Sequence, residues 1–411
     1  MYSFEKKKNL NYLFLSFDKF PPFRVDVSVL FGKELAKRKH QIEFVLQSEK
    51  NSSKAYLANW SGCTVHVGAM DNGLSLSSRI RKNFYGFLND LRCIKLILRD
   101  KICGIIIKDK FFSATLVALF TRLVNKKCIF WLSYPYPESN IHKARAKMVN
   151  YSFFFLLRGL FFKNLLYGCL LPLSHYVFVQ SEQMKKDVQK QGVDIAKVMA
   201  VPMCVQMEDF ETDQMDANVV LGNYPNIVYL GALDRLRKID FILRVFQMVL
   251  PKKPEAKLWL VGGSEKPEDL SFLHNEAKRL GVKDGVIFTG FLPRKKALAY
   301  VREADVCLSP FYPTPILNST SPTKIIEYMA MGKPVVANEH PEQSLIIGQS
   351  NAGICVPYRE IDFSEAVLYL LNHPEEAIQM GAKGRKYVEK YRTYPNMADQ
   401  VDRQIRKIFS I

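Results

Sequence analysis

No Asp-x-Asp pair and no C-x-x-C pair occurs in this sequence of 411 residues, and none of its seven histidines has a metal-ligand partner at short spacing. The first absence removes the usual acidic clamp for a metal–diphosphate complex, and the others remove zinc ribbons and metal clusters. The eight cysteines are scattered, several inside strand-like runs, which reads as buried free thiols in a reducing compartment rather than a disulfide framework. The opening Met-Tyr-Ser-Phe-Glu-Lys-Lys-Lys has neither a long apolar run nor a small-residue cleavage site, so no secretory signal is read. Helix-turn-helix, zinc-finger and RNP-type signatures are missing too, and no nucleic-acid partner is expected despite a formal net charge of +18.

What is present is an ordinary globular composition, 48% hydrophobic and 24% charged, long enough for two α/β domains. The charge is uneven. Residues 1–205 hold 32 Lys and Arg against 14 Asp and Glu, whereas residues 206–411 hold 26 of each. Beside this basic excess lies the Phe/Leu-rich stretch 151–173, preceded by Lys143, Arg145 and Lys147. Arg158, Lys163 and Pro172 argue against a membrane span. Two readings stay open: a helix lying in the interface of an anionic membrane, or a buried core helix.

The strongest local signal is Ser321-Pro322-Thr323-Lys324-Ile325-Ile326-Glu327-Tyr328-Met329-Ala330-Met331-Gly332-Lys333-Pro334-Val335-Val336-Ala337. It reads as a loop, a helix entry with a capping hydroxyl, a helix stopped at Gly332, and a buried strand. A helix start offers unpaired N–H groups to an anion, and Glu327 just inside it suits a ribose or sugar hydroxyl. Upstream, apolar runs at 226–230, 257–261, 286–289 and 306–308 end in Gly231, Gly262-Gly263, Gly290 and Ser309-Pro310, with helical patterns between them. This is the rhythm of a parallel sheet with ligands at the carboxyl ends of its strands. The first half repeats it, with strands expected at 11–16, 41–47, 64–67, 104–107, 129–132 and 176–180. Asp109 follows one of these strands and Glu138 another; each reads as a cleft-facing acid or as a solvated loop charge.

The stretch 321–337 resembles the donor-site signature of glycosyltransferase family 4, in which two glutamates lie eight residues apart and the second opens a helix ending in Gly-x-Pro-Val-Val. Glu327 matches the second glutamate, and Ser319 stands at the position of the first. The family's fold is GT-B, α/β with two Rossmann-like domains facing a central cleft. The resemblance implies that Gly231 matches the glycine of the first turn and Arg237 the basic residue six positions on. Ala232 stands where the family has an arginine, with Arg235 as a substitute nearby. It assigns Arg237, Lys324 and Glu327 to catalysis; Asp109 joins them as a catalytic candidate from its own place after a strand. It assigns Gly231, Arg235, Gly262, Gly290, Ser319, Ser321, Thr323, Lys324 and Glu327 to donor binding.

The implied organisation is an acceptor-binding domain over 1–207, basic and membrane-facing, and a nucleotide-sugar domain over 208–390. A terminal helix, 391–411, returns to the first domain. The implied activity is a retaining, metal-independent glycosyltransfer without cofactor, from a nucleoside diphosphate-sugar to a lipid-linked, polyprenyl-type glycan acceptor in surface polysaccharide synthesis. The expected place is cytoplasmic, peripheral on the inner face of the membrane. The alternatives are another nucleotide-sugar enzyme on this fold, such as an epimerase, or a non-catalytic scaffold that binds nucleotide sugar.

Overall fold

A computed structural model describes residues 9–22, 24–211, 216 and 219–409. The N-terminal stretch in which no secretory signal is read, and the last two residues of the expected terminal helix, lie outside these. The chain divides into two compact units: residues 1–202 with 394–411, and residues 203–393.

Among the described residues the first unit is built on an eight-stranded sheet. Its strands are β1 (Leu10–Phe20), β2 (His40–Ser48), β3 (Tyr56–Trp60), β4 (Cys63–Gly68), β5 (Gly104–Lys108), β6 (Lys127–Leu132), β7 (Tyr176–Val179) and β8 (Val198–Ala200). Their spatial order is β3-β4-β2-β1-β5-β6-β7-β8, parallel throughout except for β3 against β4. Two strands were not anticipated. β8 is only three residues long, below what a periodic signal resolves. β3 turns into β4 through Ser61 and Gly62, both at positive φ, the backbone of a two-residue hairpin turn. Ile105, Ile106 and Ile107 of β5 are fully buried, as expected where helices cover both faces. Helix Tyr394–Phe409 packs onto this sheet. Its Asp402 receives the ring of buried His40 (2.6 Å), whose other nitrogen meets the Tyr12 hydroxyl (3.1 Å). Gly104 leaves room for the Phe409 ring, which a Cβ there would approach to 2.7 Å.

Among the described residues the second unit has six parallel strands: β9 (Asn226–Leu230), β10 (Lys257–Val261), β11 (Val286–Gly290), β12 (Val306–Ser309), β13 (Val335–Asn338) and β14 (Gly353–Val356). Their order is β11-β10-β9-β12-β13-β14. At its seams, Val205 pairs with Thr393 and donates to the carbonyl of Arg392 (3.0 Å). The segment that enters this unit therefore lies beside the one that leaves it.

Both sheets contain a strand whose neighbours are reached by connections in opposite directions. In the first unit it is β1, between β2 and β5; in the second it is β9, between β10 and β12. The crevice outside the carboxyl ends at such a reversal is where open α/β sheets bind ligands.

Candidate functional site

In the second unit the reversal brings the ends of β9 and β12 together, and Tyr328 pins them. Its fully buried hydroxyl accepts from the N–H of Leu230 (2.8 Å) and donates to the carbonyl of Leu308 (3.3 Å). Gly231 follows β9 at φ +152°, a conformation that favours glycine. A Cβ there would sit 3.2 Å from the Tyr229 hydroxyl and 3.4 Å from the Lys324 ammonium. The next loop closes on it, since a Cβ at Gly262 would be 2.1 Å from the Gly231 carbonyl. Gly262 in turn bridges Gly290 and donates its N–H to the Thr289 hydroxyl (3.2 Å). Three glycines expected at the site thus form one floor of partly exposed backbone.

Above this floor lies Lys324. It donates to the Tyr229 hydroxyl (3.2 Å), and its ammonium is 4.7 Å and 4.9 Å from the centres of the Tyr229 and Phe311 rings. Burial pushes its pKa down to about 7, and the charge of Arg237 pushes the same way against Glu327 and Asp234. Such a lysine binds little in the protein and gains much from an anion. It opens helix Thr323–Ala330, whose N-cap Pro322 has no side-chain cap. The first N–H groups of that helix are therefore left for a ligand. Ser321 does not supply the expected capping hydroxyl: its oxygen accepts instead from the N–H of Met203 (3.1 Å). Ser319 is buried at the end of the short helix Pro315–Asn318.

Glu327, 8% exposed, lies in the second turn. Arg294 Nη1 reaches its Oε1 at 2.8 Å. Arg294 opens helix Arg294–Arg302, also stands 3.8 Å from Asp209, and was not anticipated. Its partner lies 33 residues away in sequence, so no local spacing announces it.

The two arginines after β9 are placed differently from Lys324. Arg237 pairs with Asp234 of its own turn (3.1 Å), and Asp234 also accepts the Arg237 N–H. Arg235 stands 3.6 Å from Asp269 and stacks over the Phe272 ring at 4.5 Å, so its side chain is engaged with helix Pro267–Arg279. Lys238, at positive φ, lies 5.9 Å over the ring of Tyr312.

Asp109 belongs to the first unit, after β5, at φ +57°. Its carboxylate accepts from the N–H of Ser133 (2.8 Å) and from the Ser133 hydroxyl. Burial pushes its pKa up to about 6, against the pull of Lys108 and those hydrogen bonds. Next to it Lys108, 1% exposed, meets Asp26 (3.0 Å) and Asp18 (3.5 Å), and Arg24 pairs with Asp26 (2.9 Å). Burial raises the pKa of the Tyr167 hydroxyl, and Glu138, to which it is hydrogen-bonded, raises it further.

Residues 224–373 match the family model described as glycosyl transferases group 1. An uncharacterized glycosyltransferase of Haemophilus influenzae is 31% identical over 167 residues, 40% of this chain and 44% of that protein. The alpha-monoglucosyldiacylglycerol synthase of Streptococcus pneumoniae is 24% identical over 189 residues, 46% of this chain and 40% of that protein. A GDP-mannose-dependent alpha-(1-6)-phosphatidylinositol monomannoside mannosyltransferase of Mycobacterium tuberculosis is 29% identical over 171 residues, 41% and 44% of the two chains. The matches thus span less than half the length of these curated relatives. Among solved structures, sucrose-phosphate synthase from Thermosynechococcus elongatus superposes with a TM-score of 0.71 at 17% identity, covering 98% of this chain and all of that one. HepE of Anabaena in complex with UDP-glucose gives 0.66 at 12% identity, covering 97% and 100%. Residues 224–373 are thus similar to the glycosyl transferases group 1 family, and the chain carries the GT-B fold.

Proposed function

We propose that the chain is a retaining, metal-independent glycosyltransferase. It moves a sugar from a nucleoside diphosphate-sugar to a membrane-associated, polyprenyl-linked glycan acceptor in surface polysaccharide synthesis, and works in the cytoplasm on the inner face of the membrane. The observation that carries this reading is the half-buried Lys324 at an uncapped helix start, over glycine backbone at the strand reversal, with Glu327 one turn on.

In this reading the diphosphate rests on Lys324 and the N–H groups of the helix start, and Glu327 holds a ribose or sugar hydroxyl. With Oε1 taken by Arg294, Oε2 is the oxygen left for that hydroxyl. As the bond from the anomeric carbon to the diphosphate breaks, charge grows on the leaving oxygen, where a fixed cation and aligned N–H dipoles lower the barrier. The acceptor oxygen bonds the anomeric carbon from the same face, and its proton passes to the diphosphate. Arg237 joins the diphosphate by exchanging Asp234 for it. Asp109 is the further residue read as catalytic, a carboxyl whose pKa burial raises to about 6. The names of the Streptococcus and Mycobacterium relatives, with their lipid acceptors, support the acceptor class.

A nucleotide-sugar panel followed by thermal unfolding tests the reading. A donor that binds the native state raises the midpoint in proportion to its affinity and concentration. The expected result is selective stabilisation by one class of nucleoside diphosphate-sugar, lost in Lys324→Ala. Stabilisation by none overturns the donor site. A non-catalytic scaffold is the second reading, favoured by the pairing of both Arg237 and Glu327 within the protein. It predicts stabilisation without turnover on any lipid acceptor.

A further inference from the structure

Three helices of the first unit carry large apolar side chains on an outward-facing stripe. Helix Phe112–Leu123 turns its small residues inward, with Ser113, Ala114, Val117, Ala118 and Thr121 buried. Its large ones, Phe112, Leu116, Leu119 and Leu123, form an exposed stripe at helical spacing, and Leu123 is 77% exposed. In helix Ser152–Leu165 the one buried residue is Gly159. A Cβ there would come within 2.7 Å of Ile141, so the glycine lets this helix lie close on helix Tyr136–Arg145. Its outward side carries Phe153 (74% exposed), Phe154, Leu157, Leu160 and Phe161. Helix Leu76–Ile97 buries Asn89, which donates to the Leu46 carbonyl, and Asp90, which meets Lys110 and the Ser113 hydroxyl. It exposes Leu76, Ile80, Phe84 and Leu88. Ring contacts join the three: Phe87 to Phe112 (6.0 Å) and Phe111 to Phe162 (5.7 Å).

The charge on these helices is of one sign. Asp90 is the sole carboxylate in their sequences, and it is buried and paired. Arg79, Arg81, Arg145, Lys147 and Arg158 are exposed on or beside them. A second copy of the chain would bring like charge against like. An anionic bilayer complements both the rings and the cations.

We infer that helices Leu76–Ile97, Phe112–Leu123 and Ser152–Leu165 form one docking face for an anionic lipid bilayer, with the apolar stripes in the acyl boundary and the basic residues at the headgroups. The inference deepens the membrane-associated acceptor proposed above and rests on that reading for its purpose. It also divides the two readings left open for residues 151–173: helix Ser152–Leu165 buries only Gly159, which disfavours a core helix there, whereas Leu166, Leu170 and Leu171 just after it are fully buried in the core.

The test is co-sedimentation of the full chain with vesicles of phosphatidylglycerol and phosphatidylcholine, beside phosphatidylcholine alone. Binding to the anionic vesicles is expected, weakened but not abolished by 1 M salt, since salt screens only the charge term. Phe154→Ser with Phe161→Ser is expected to lower partitioning by roughly tenfold or more, because exposed rings lose their apolar contact. Leu116→Ser, Leu119→Ser and Leu123→Ser together are expected to do the same. Because every one of these side chains is exposed, folding is kept, and thermal unfolding with nucleotide sugar reads the donor site separately. Wild-type binding by the Leu triple variant overturns the three-helix face. So does absence of binding to anionic vesicles, with or without dimers in sedimentation velocity. Resistance to carbonate extraction overturns it in favour of a membrane span.

Discussion

The two strand reversals of this protein are built from opposite materials. At the end of β1 and β5 the first unit gathers Asp18, Arg24, Asp26 and Lys108, which pair with one another, beside Asp109, whose carboxylate is held by Ser133. Burial alone would raise the Asp26 carboxyl, but the charges of Lys108 and Arg24 hold it below its ordinary range. At the end of β9 and β12 the second unit gathers glycine backbone, an uncapped helix start and a lysine whose close neighbours are the phenol of Tyr229 and the ring of Phe311. The same topology therefore yields a closed ionic cluster in one place and an incomplete one in the other. An anion completes the second and has little to add to the first. The net positive charge of residues 1–205 is therefore not gathered at this sheet end.

The largest expected effect tests whether the first cluster is self-sufficient. Lys108→Met leaves Asp26 and Asp18 without their buried cation, and breaking a buried pair costs about 3–5 kcal/mol. Urea unfolding should show that loss while nucleotide-sugar affinity of the folded protein stays as it was. Weaker nucleotide binding with unchanged stability would reverse the contrast. Next comes Glu327→Gln, expected to lower kcat/KM by about 10²–10³, or roughly 3–4 kcal/mol, as for loss of one preorganised polar contact. Unchanged steady-state kinetics would remove Glu327 from the site.

A third test uses protons. The pKa of Lys324 lies near 7 in the folded protein, far below that of an exposed lysine, so the folded state releases a proton that the unfolded state keeps. Stability should therefore rise with pH from about 7 toward the ordinary lysine value near 10.4, and below 7 the full cost of charging Lys324 is present. A bound diphosphate reverses this by favouring the ammonium. Calorimetry at pH 8 in buffers of different ionisation heat should show up to one proton taken up per nucleoside diphosphate, and none in Lys324→Met. Equal uptake in both would place the anion elsewhere.

The smallest effects belong to the arginine engaged with Asp269 and to metal. Arg235→Ala should change nucleotide-sugar affinity by less than about 0.5 kcal/mol, as for surface changes outside a site. Turnover in EDTA should equal turnover without it. A large loss in Arg235→Ala would restore the role that the resemblance suggests for it, and rescue of EDTA-treated protein by magnesium or manganese would reject metal independence.

Much of the second unit was legible because its signals are local. Apolar runs of four or five residues, each stopped by glycine or Ser-Pro, are strands of a parallel sheet wherever helices separate them, and β9 to β12 lie where those runs are. Gly332 ends its helix just after residue 330 for the same local reason. The first unit was less legible. β8 is too short for periodicity, and β3 rests on a Ser-Gly turn whose meaning depends on the strand opposite. The hydroxyl of Ser321 was expected at the helix start because its spacing suits a cap, but the N–H of Met203, 118 residues away in sequence, binds it instead.

The sequence by itself determined the α/β rhythm, the helix around Glu327 and the confinement of net charge to the first half. Each of these is a matter of residue type at short range. Tertiary structure alone decided that Arg294 meets Glu327, that Asp234 and Asp269 engage the two arginines, and that Lys324 loses most of its hydration. It alone decided that Phe153, Phe154 and Phe161 turn outward while Phe162 and Tyr167 pack inward. Burial and ion pairing depend on which distant segments a side chain meets, and a periodic pattern records that a helix has an apolar face without recording what lies against it.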